Sequence, residues 1–236
     1  MSRLDKEVIA RGLTQSRSQA ENFVRLGKVR VNGKLVKKPG EQVGGDDKIT
    51  IAGEQYVSRA ALKLSSIAEQ FNLDFRGATV LDIGSSTGGF TDYAVQHGAE
   101  KVIAVDVGSN QLHPSLRVNN RVELHEKTDI REFKTNEIID IAVADLSFIS
   151  GRHVLKDVKK LMHKKSLLIY MCKPQFEAGK EQINKGVIKN SKMRREILKN
   201  FEAWLEENGF VVLDKADSKV AGAKGNVERF YKLKRN

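Results

Sequence analysis

A glycine-rich segment, Val80-Leu-Asp-Ile-Gly-Ser-Ser-Thr-Gly-Gly-Phe90, carries the sharpest chemical signal in the sequence. An apolar run ends at Asp82-Ile-Gly84, small residues follow, and a helix pattern begins at Gly89. Glycines at the carboxyl end of a strand let a ligand approach the backbone closely. The segment therefore predicts a nucleoside-binding turn between a strand and a helix. The alternative interpretation is an ordinary glycine turn.

Two carboxylates indicate the ligand. Asp106 ends the next apolar run, roughly 20 residues after Gly84, which is the spacing of a carboxylate that accepts hydrogen bonds from ribose hydroxyls. The loop reads Gly-x-x-x-Gly-Gly and lacks the Gly-Lys-Ser/Thr of a triphosphate-binding loop. Asp82 precedes the first glycine, where it suits a cationic ligand better than a pyrophosphate. S-adenosylmethionine carries an amino group and a sulfonium, so we expect it as the cofactor.

Asp129, after the third strand pattern, has two equally good interpretations. Its carboxylate can accept a hydrogen bond from an adenine amino group. Asp is also a common first residue of a helix, where it caps the backbone. The sequence leaves both interpretations open.

The ends of the fourth and fifth strand patterns bear on the methyl acceptor. Amino-group methylation of bases usually uses an Asp/Asn-Pro-Pro-aromatic turn, whereas this chain has Asp145-Leu-Ser-Phe148. Carbon methylation of pyrimidines usually uses a cysteine preceded by proline, whereas Cys172 precedes Lys173-Pro174. A ribose 2′-hydroxyl needs neither device, only groups that orient or deprotonate it. We therefore expect a ribose 2′-hydroxyl as the acceptor.

Asp145 and Lys173 directly close strong apolar strands, a place where charged residues call for an explanation. In a parallel sheet both would lie at the ligand-binding edge. Lys63 and Glu228 would complete an alternating Lys-Asp-Lys-Glu cluster, although each taken singly is more simply a surface charge. Burial and a nearby lysine favour neutral Lys173, and the carboxylates favour its ammonium form. Roles as base and as orienting cation both stay open.

The elements that must position these residues alternate from Ser58 onward. Apolar runs such as Ile141–Ala144 indicate strands covered on both faces. We therefore predict an α/β fold with a Rossmann-like, doubly wound, mostly parallel sheet of seven strands. The predicted strands are 79–83, 101–105, 121–124, 139–144, 166–172, 210–213 and 227–233, and the predicted helices are 58–71, 89–96, 153–162 and 191–207.

Residues 1–52 are more basic than the rest and predict a small α+β domain. Two helix patterns, starting at Leu4 and spanning 18–26, precede a hairpin with an Asn32-Gly33 turn and a closing strand over 48–51. We place a linker at 53–57 and the catalytic domain at 58–236.

The formal net charge of +11 favours a polyanionic partner, because neutralised phosphates release counterions. An anionic membrane surface is the rival interpretation. The chain shows no apolar stretch approaching about 18 residues and no signal-like run after Met1. The single cysteine, Cys172, excludes an internal disulfide and a cysteine-based zinc site. We expect a cytoplasmic protein without metal or membrane.

Residues 1–52 resemble the RNA-binding domain named after small-subunit ribosomal protein four, the αL motif, and residues 58–233 resemble the FtsJ-type 2′-O-methyltransferase fold. Together they resemble the TlyA (haemolysin A-like) family of ribosomal RNA methyltransferases. The matching stretches are Arg3-Leu-Asp5, Gly12-Leu-Thr-Gln-Ser-Arg17, Ala20, Gly27-Lys-Val-Arg-Val-Asn-Gly33, Lys38-Pro39, Ser58-Arg-Ala-Ala-Leu-Lys63, Asp145-Leu-Ser-Phe148 and Cys172-Lys-Pro-Gln-Phe-Glu177.

The resemblance implies ribosomal RNA or ribosomal subunits as partners and a catalytic tetrad of Lys63, Asp145, Lys173 and Glu228. Lys173 would be the central base or orienting cation, the carboxylates would hold the lysines, and Lys63 would help position the hydroxyl. The expected S-adenosylmethionine contacts are Asp82, Gly84, Ser85, Thr87, Gly88, Gly89, Phe90, Asp106 and Asp129. The expected RNA contacts are Arg3, Arg17, Lys28 and Arg30.

Two other function classes remain as alternatives. One is an RNA-binding ribosome assembly factor whose methyltransferase fold is inactive, which the intact set of four charged residues opposes. The other is a haemolysin, suggested by the older family name and opposed by the missing export and membrane signals.

The segment 53–57 also departs from the more aromatic tetrapeptide of some family members.

Overall fold

The computed structural model describes residues 1–14, 17–25, 27–52, 56–178, 188, 190–220 and 226–236. The chain divides into two compact units, Met1–Arg59 and Ala60–Asn236. Positions 53–55 of the predicted linker and position 26 of the predicted second helix lie outside the described residues. The boundaries at 1–52, 53–57 and 58–236 stay a prediction.

The first unit is a small α+β arrangement. Its apolar helix residues, including Leu4, Val8 and Phe23, are buried. The Asn32-Gly33 turn has the positive φ angles, 51° and 79°, that a tight hairpin requires. The elements are β1 (Ser2–Arg3), α1 (Leu4–Ala10), α2 (Arg17–Arg25), β2 (Val29–Val31), β3 (Lys34–Val36), β4 (Gln42–Val43) and β5 (Ile49–Ile51). Strands β3, β2 and β5 form one antiparallel sheet, and β1 pairs with β4.

The second unit holds one seven-stranded sheet with the order β11-β12-β10-β9-β6-β7-β8. Its strands are β6 (Thr79–Ile83), β7 (Lys101–Val105), β8 (Val122–His125), β9 (Ile139–Ala144), β10 (Met162–Cys172), β11 (Phe210–Asp217) and β12 (Arg229–Arg235). Its helices are α3 (Arg59–Ala68), α4 (Gly89–Gln96), α5 (Pro114–Arg117), α6 (Leu155–Leu161), α7 (Pro174–Glu177) and α8 (Ser191–Glu207). All pairings are parallel except those of β12 with β10 and β11. The predicted Rossmann-like, mostly parallel sheet is confirmed.

Several predicted bounds differ from the structure. The helix predicted over 153–162 is α6, which follows a 3₁₀ turn at Gly151–His153. Strand β10 starts at Met162, ahead of the predicted 166, and a register shift between Met162 and Leu167 explains the weak pattern there. Helices α5 and α7 were not predicted, because four residues are too few to show a helical period.

The topology brings the strand ends that carry the predicted site residues to one edge of the sheet. The carboxyl ends of β6, β7, β9 and β10 meet there because these strands are parallel. Strand β12 runs antiparallel, and Arg229 at its start lies opposite Cys172 at the end of β10. The strand predicted over 227–233 starts at Arg229 instead, so Glu228 lies just before β12, next to the shared edge.

Candidate functional site

The glycine-rich segment forms the predicted turn between β6 and α4. Gly84 and Gly88 have φ angles of 77° and 91°, which side-chain-bearing residues rarely adopt. A Cβ on Gly84 would lie 2.9 Å from the backbone oxygen of Asp145. The turn therefore brings its backbone close to the end of β9, and only glycine fits at this point.

A buried carboxylate lies behind this turn. Asp82 is fully buried, and its Oδ2 accepts a 2.5 Å hydrogen bond from Thr91 Oγ1. Among the described residues, Asp82 Oδ1 and the buried Ser85 Oγ have no hydrogen-bond partner. Both residues line a cavity of about 140 Å³ that Gly84 and Asp145 also line. Burial, and then the charge of Asp145, raise the pKa of Asp82 to about 7. A cationic ligand bound here would stabilise the ionised form of this buried carboxylate, so the site suits such a ligand.

A larger cavity of about 540 Å³ lies at the ends of β6, β7 and β9. Asp106 lines it, and its carboxylate accepts hydrogen bonds from the backbone N–H groups of Ser86 (2.8 Å) and Gly108 (2.7 Å). Each carboxylate oxygen keeps a second lone pair, so Asp106 can still accept from hydroxyls. Gln111, which the sequence analysis missed, also lines the cavity and accepts from Ser86 Oγ at 3.1 Å.

Asp129 lines the same cavity but opens a turn, not a helix. Its Oδ1 accepts from the backbone N–H of Arg131 at 2.9 Å, and its Oδ2 pairs with the Arg131 guanidinium at 2.5 Å. The Arg131 guanidinium holds the pKa of Asp129 below its usual value. The Asp129 carboxylate caps this turn in the way that an Asp caps the first turn of a helix, and its contact with an adenine stays a prediction.

The other expected cofactor residues lie around the turn. Thr87, Gly89 and Phe90 line the smaller cavity, and Gly88 is the residue before α4. The Phe90 ring is buried, 6.2 Å from the ring of Phe230. Together with the buried acceptors of Asp82 and Ser85 and the hydroxyl-accepting Asp106, these residues fit the amino group and ribose of S-adenosylmethionine.

The four predicted catalytic residues form two ion pairs at the same edge. Lys63 Nζ lies 2.8 Å from Glu228 Oε1, and both side chains are buried. Lys173 Nζ lies 2.5 Å from Asp145 Oδ1, with angles outside hydrogen-bond geometry, and donates a 2.6 Å hydrogen bond to Ser147 Oγ. Asp145, Lys173 and Glu228 occupy neighbouring strand ends, as the sheet order requires.

The sequence analysis also missed two residues beside these pairs. Ser147 and Phe148 follow Asp145, and both line the larger cavity. Phe148 is 92% exposed, has a φ of 65°, and has its ring 5.5 Å from that of Phe176. The stretch Asp145-Leu-Ser-Phe148 contains both residues, and its hydroxyl and aromatic side chains are the signal that indicates them.

In the first unit, Asp5 forms hydrogen bonds with two of the four residues predicted to contact RNA, Arg3 and Arg17. Its fully buried carboxylate accepts from Arg3 Nε and Arg3 Nη2, both at 3.0 Å, and from Arg17 Nε at 2.9 Å. These guanidiniums hold the pKa of Asp5 well below its usual range. Arg30 instead donates to the carbonyl of Gly33 in the hairpin, and Lys28 Nζ lies 5.8 Å from the centre of the Tyr56 ring.

Within the described part of the chain, none of the helices is long and apolar enough to cross a membrane.

Comparison with known proteins agrees with this geometry. The FtsJ-like methyltransferase model matches residues 56–235, and the S4 domain model matches residues 2–49. The 23S rRNA (cytidine-2′-O)-methyltransferase TlyA of Campylobacter jejuni is 36% identical over 94% of this chain and 96% of that protein. The 16S/23S rRNA (cytidine-2′-O)-methyltransferase TlyA of Mycobacterium tuberculosis is 36% identical over 99% of this chain and 90% of that protein.

Hemolysin A of Brachyspira hyodysenteriae is 38% identical over 96% of this chain and 97% of that protein. These relatives match nearly the whole chain at well over 30% identity, and the family model covers the unit that holds the paired charges. The chain therefore belongs to the TlyA (haemolysin A-like) family of FtsJ-like methyltransferases.

Proposed function

We propose that this protein transfers a methyl group from S-adenosylmethionine to a ribose 2′-hydroxyl of ribosomal RNA in the cytoplasm. The observation that carries the proposal is the set of two lysine–carboxylate pairs, one of which contains Asp145, a residue that lines the same cavity as the buried Asp82 carboxylate with its unpartnered oxygen. The names of two relatives support a cytidine as the target nucleotide.

Different cavity residues would contact different parts of the cofactor. Asp82 Oδ1 and Ser85 Oγ would accept from the amino group, Asp106 would accept from the ribose hydroxyls, and Asp129 would accept from the adenine amino group. When bound, the cofactor supplies an electrophilic methyl group carried on a sulfonium.

The charged pairs would orient the acceptor hydroxyl and manage its proton as the new C–O bond forms. Asp145 and Ser147 fix the amino group of Lys173 at 2.5 and 2.6 Å, which supports an orienting role for Lys173. Glu228 fixes Lys63 at 2.8 Å, so Lys63 can contact the hydroxyl from the other side. Catalysis here rests on holding the reacting atoms in place with polar groups already arranged.

The exposed ring of Phe148 supports a nucleoside substrate. Single-stranded RNA is usually recognised by stacking unpaired bases on aromatic side chains. Phe148 is almost fully exposed beside Phe176, in the segment that also carries Ser147. An apolar ring in water next to the paired charges offers a surface for the target base.

Purified protein, tritiated S-adenosylmethionine and separated ribosomal subunits give the direct test. We expect label in ribosomal RNA, and mass mapping should place it on a ribose. An inactive assembly factor would bind the subunits without transferring label. A haemolysin would lyse red cells in the absence of detergent. Label on a base instead of a ribose would overturn the assignment of the 2′-hydroxyl.

The arginines held by Asp5 lead to a prediction about RNA affinity. Arg17→Ala should weaken RNA binding and lower the slope of log K against log salt by about 1, as expected for one lost phosphate contact. The fold should survive, because Arg3 still gives Asp5 two hydrogen bonds. Arg25→Ala is the matched control, since Arg25 is an exposed arginine on the same helix. Equal salt slopes for the parent and Arg17→Ala would remove Arg17 from the interface.

A further inference from the structure

Another buried carboxylate, Glu177, lies four positions after Lys173 in the chain. Its side chain has no exposed surface. It accepts three hydrogen bonds, from Ser150 Oγ (2.5 Å), the backbone N–H of Gly151 (2.7 Å) and the Tyr170 hydroxyl (2.9 Å). The Arg152 guanidinium lies 3.8 Å away. A buried carboxylate with this many donors is well satisfied and holds its donors in place.

Two of these donors and the carboxylate itself lie in the two segments that carry the Lys173–Asp145 pair. Ser150 and Gly151 end the segment after β9 that begins with Asp145 and Ser147. Glu177 ends α7, the short helix that Lys173 precedes. The carboxylate therefore ties the residues after β9 to the residues after β10, within a few positions of each reacting group.

Tyr170 makes this connection rigid. A Cβ on Gly151 would lie 2.6 Å from the Tyr170 hydroxyl oxygen, so the backbone of the 3₁₀ turn packs directly on the tyrosine. Burial raises the pKa of Tyr170 well above its usual value, which keeps the hydroxyl protonated as a donor. Tyr170 itself lies in β10 and pairs with Ala144, the last residue of β9.

We propose that Glu177 is a positioning residue for methyl transfer, which fixes the segment carrying Asp145 and Ser147 against the segment carrying Lys173. Both contacts of the Lys173 amino group, at 2.5 and 2.6 Å, bridge these two segments. A relative shift of the segments would lengthen both contacts together. This inference rests on the proposed function, because it assigns Glu177 a role through Lys173.

The test uses single-turnover methylation of ribosomal RNA at saturating S-adenosylmethionine. Glu177→Gln keeps the size of the side chain but presents an amide N–H₂ to groups that are themselves donors. We expect it to slow the reaction by about tenfold to a hundredfold, the cost of misplacing a reacting group by about 1 Å. Tyr170→Phe removes one of three donors and should slow it by a smaller factor. Tyr231→Phe is the matched control, since this buried tyrosine lies opposite Tyr170 on the neighbouring strand but donates to Glu202 at 3.1 Å.

A double-mutant cycle with Lys173→Ala separates positioning from general destabilisation. If Glu177 acts through Lys173, Glu177→Gln should cost little once Lys173 is absent. The inference would be overturned if the rate losses of Glu177→Gln and Lys173→Ala were additive in the double variant. Equal rate losses for Tyr170→Phe and Tyr231→Phe would also overturn it. If Glu177→Gln does not fold, Tyr170→Phe and Ser150→Ala carry the same cycle. Loss of activity in Lys173→Ala with additive Glu177 effects overturns only this inference, and so does full activity in Lys173→Ala, whereas a parent protein that transfers no methyl group to ribosomal RNA overturns the proposed function.

Discussion

Lys173→Ala is expected to slow methyl transfer by about a hundredfold or more, the contribution of a general acid–base or orienting group. The Lys173 amino group is held between Asp145 and Ser147 at the edge of the larger cavity, and its removal leaves the acceptor hydroxyl without that partner. Single-turnover methylation with saturating S-adenosylmethionine measures the effect. Cofactor affinity, measured by calorimetry, should stay near that of the parent, because the residues assigned to the cofactor are unchanged.

Two further variants sharpen this result. Lys173→Arg should also fail, since a planar guanidinium cannot reproduce the two contacts of an ammonium. Lys101→Ala should keep the parent rate. Lys101 pairs with Glu123 and Glu137 at 2.7 and 2.8 Å but begins β7, at the opposite edge of the sheet. A Lys173→Ala rate within about threefold of the parent, where about a hundredfold is expected, would remove the tetrad from the mechanism.

The sequence could place Lys173 because of the strands that surround it. Strands β6, β7 and β9 have the predicted bounds, since buried parallel strands appear as unbroken apolar runs. A charged residue at the end of such a run must lie at the edge of the sheet. That reasoning places Asp106, Asp145 and Lys173 at the edge of the sheet from the sequence alone.

Pairings between distant residues could not be predicted in this way. Lys63 and Glu228 lie 165 positions apart, and their contact depends on an antiparallel last strand whose start was misplaced. Ser147 and Glu177 belong to segments without helical or strand periodicity, so no pattern indicated their contacts. No sequence pattern indicates that Asp5 is the buried partner of two arginines, as the structure shows it to be.

Asp82→Asn is expected to weaken S-adenosylmethionine binding by roughly tenfold to a hundredfold, the equivalent of one charge-assisted hydrogen bond. The free Asp82 Oδ1 is the acceptor assigned to the cationic amino group, and an amide offers it no charge. The pKa of Asp82 is about 7 without cofactor, so the carboxylate is neutral below that pH and ionised above it. Cofactor affinity should therefore rise as the pH passes upward through about 7, and binding near that pH should release a proton.

The same raised pKa has an opposite effect on stability. The folded state holds the Asp82 proton up to about pH 7, while the unfolded chain releases it near 3.8. The free energy of unfolding of the cofactor-free protein should therefore fall as the pH rises between these values, and stay low above them. Asp82→Asn has no proton to lose and can still accept from Thr91, so without cofactor it should melt at a higher temperature than the parent at pH 8.

Asp106→Ala is the matched comparison for Asp82→Asn, because it should weaken cofactor binding by about 1.5–3 kcal/mol without any gain in melting temperature. Its removal leaves the N–H groups of Ser86 and Gly108 without their acceptor. Calorimetry in two buffers of different ionisation enthalpy, with melting curves at pH 5 and pH 8, measures both effects. If Asp82→Asn binds cofactor as tightly as the parent, or melts no higher at pH 8, then Asp82 is a structural carboxylate and the amino group of the cofactor has another partner.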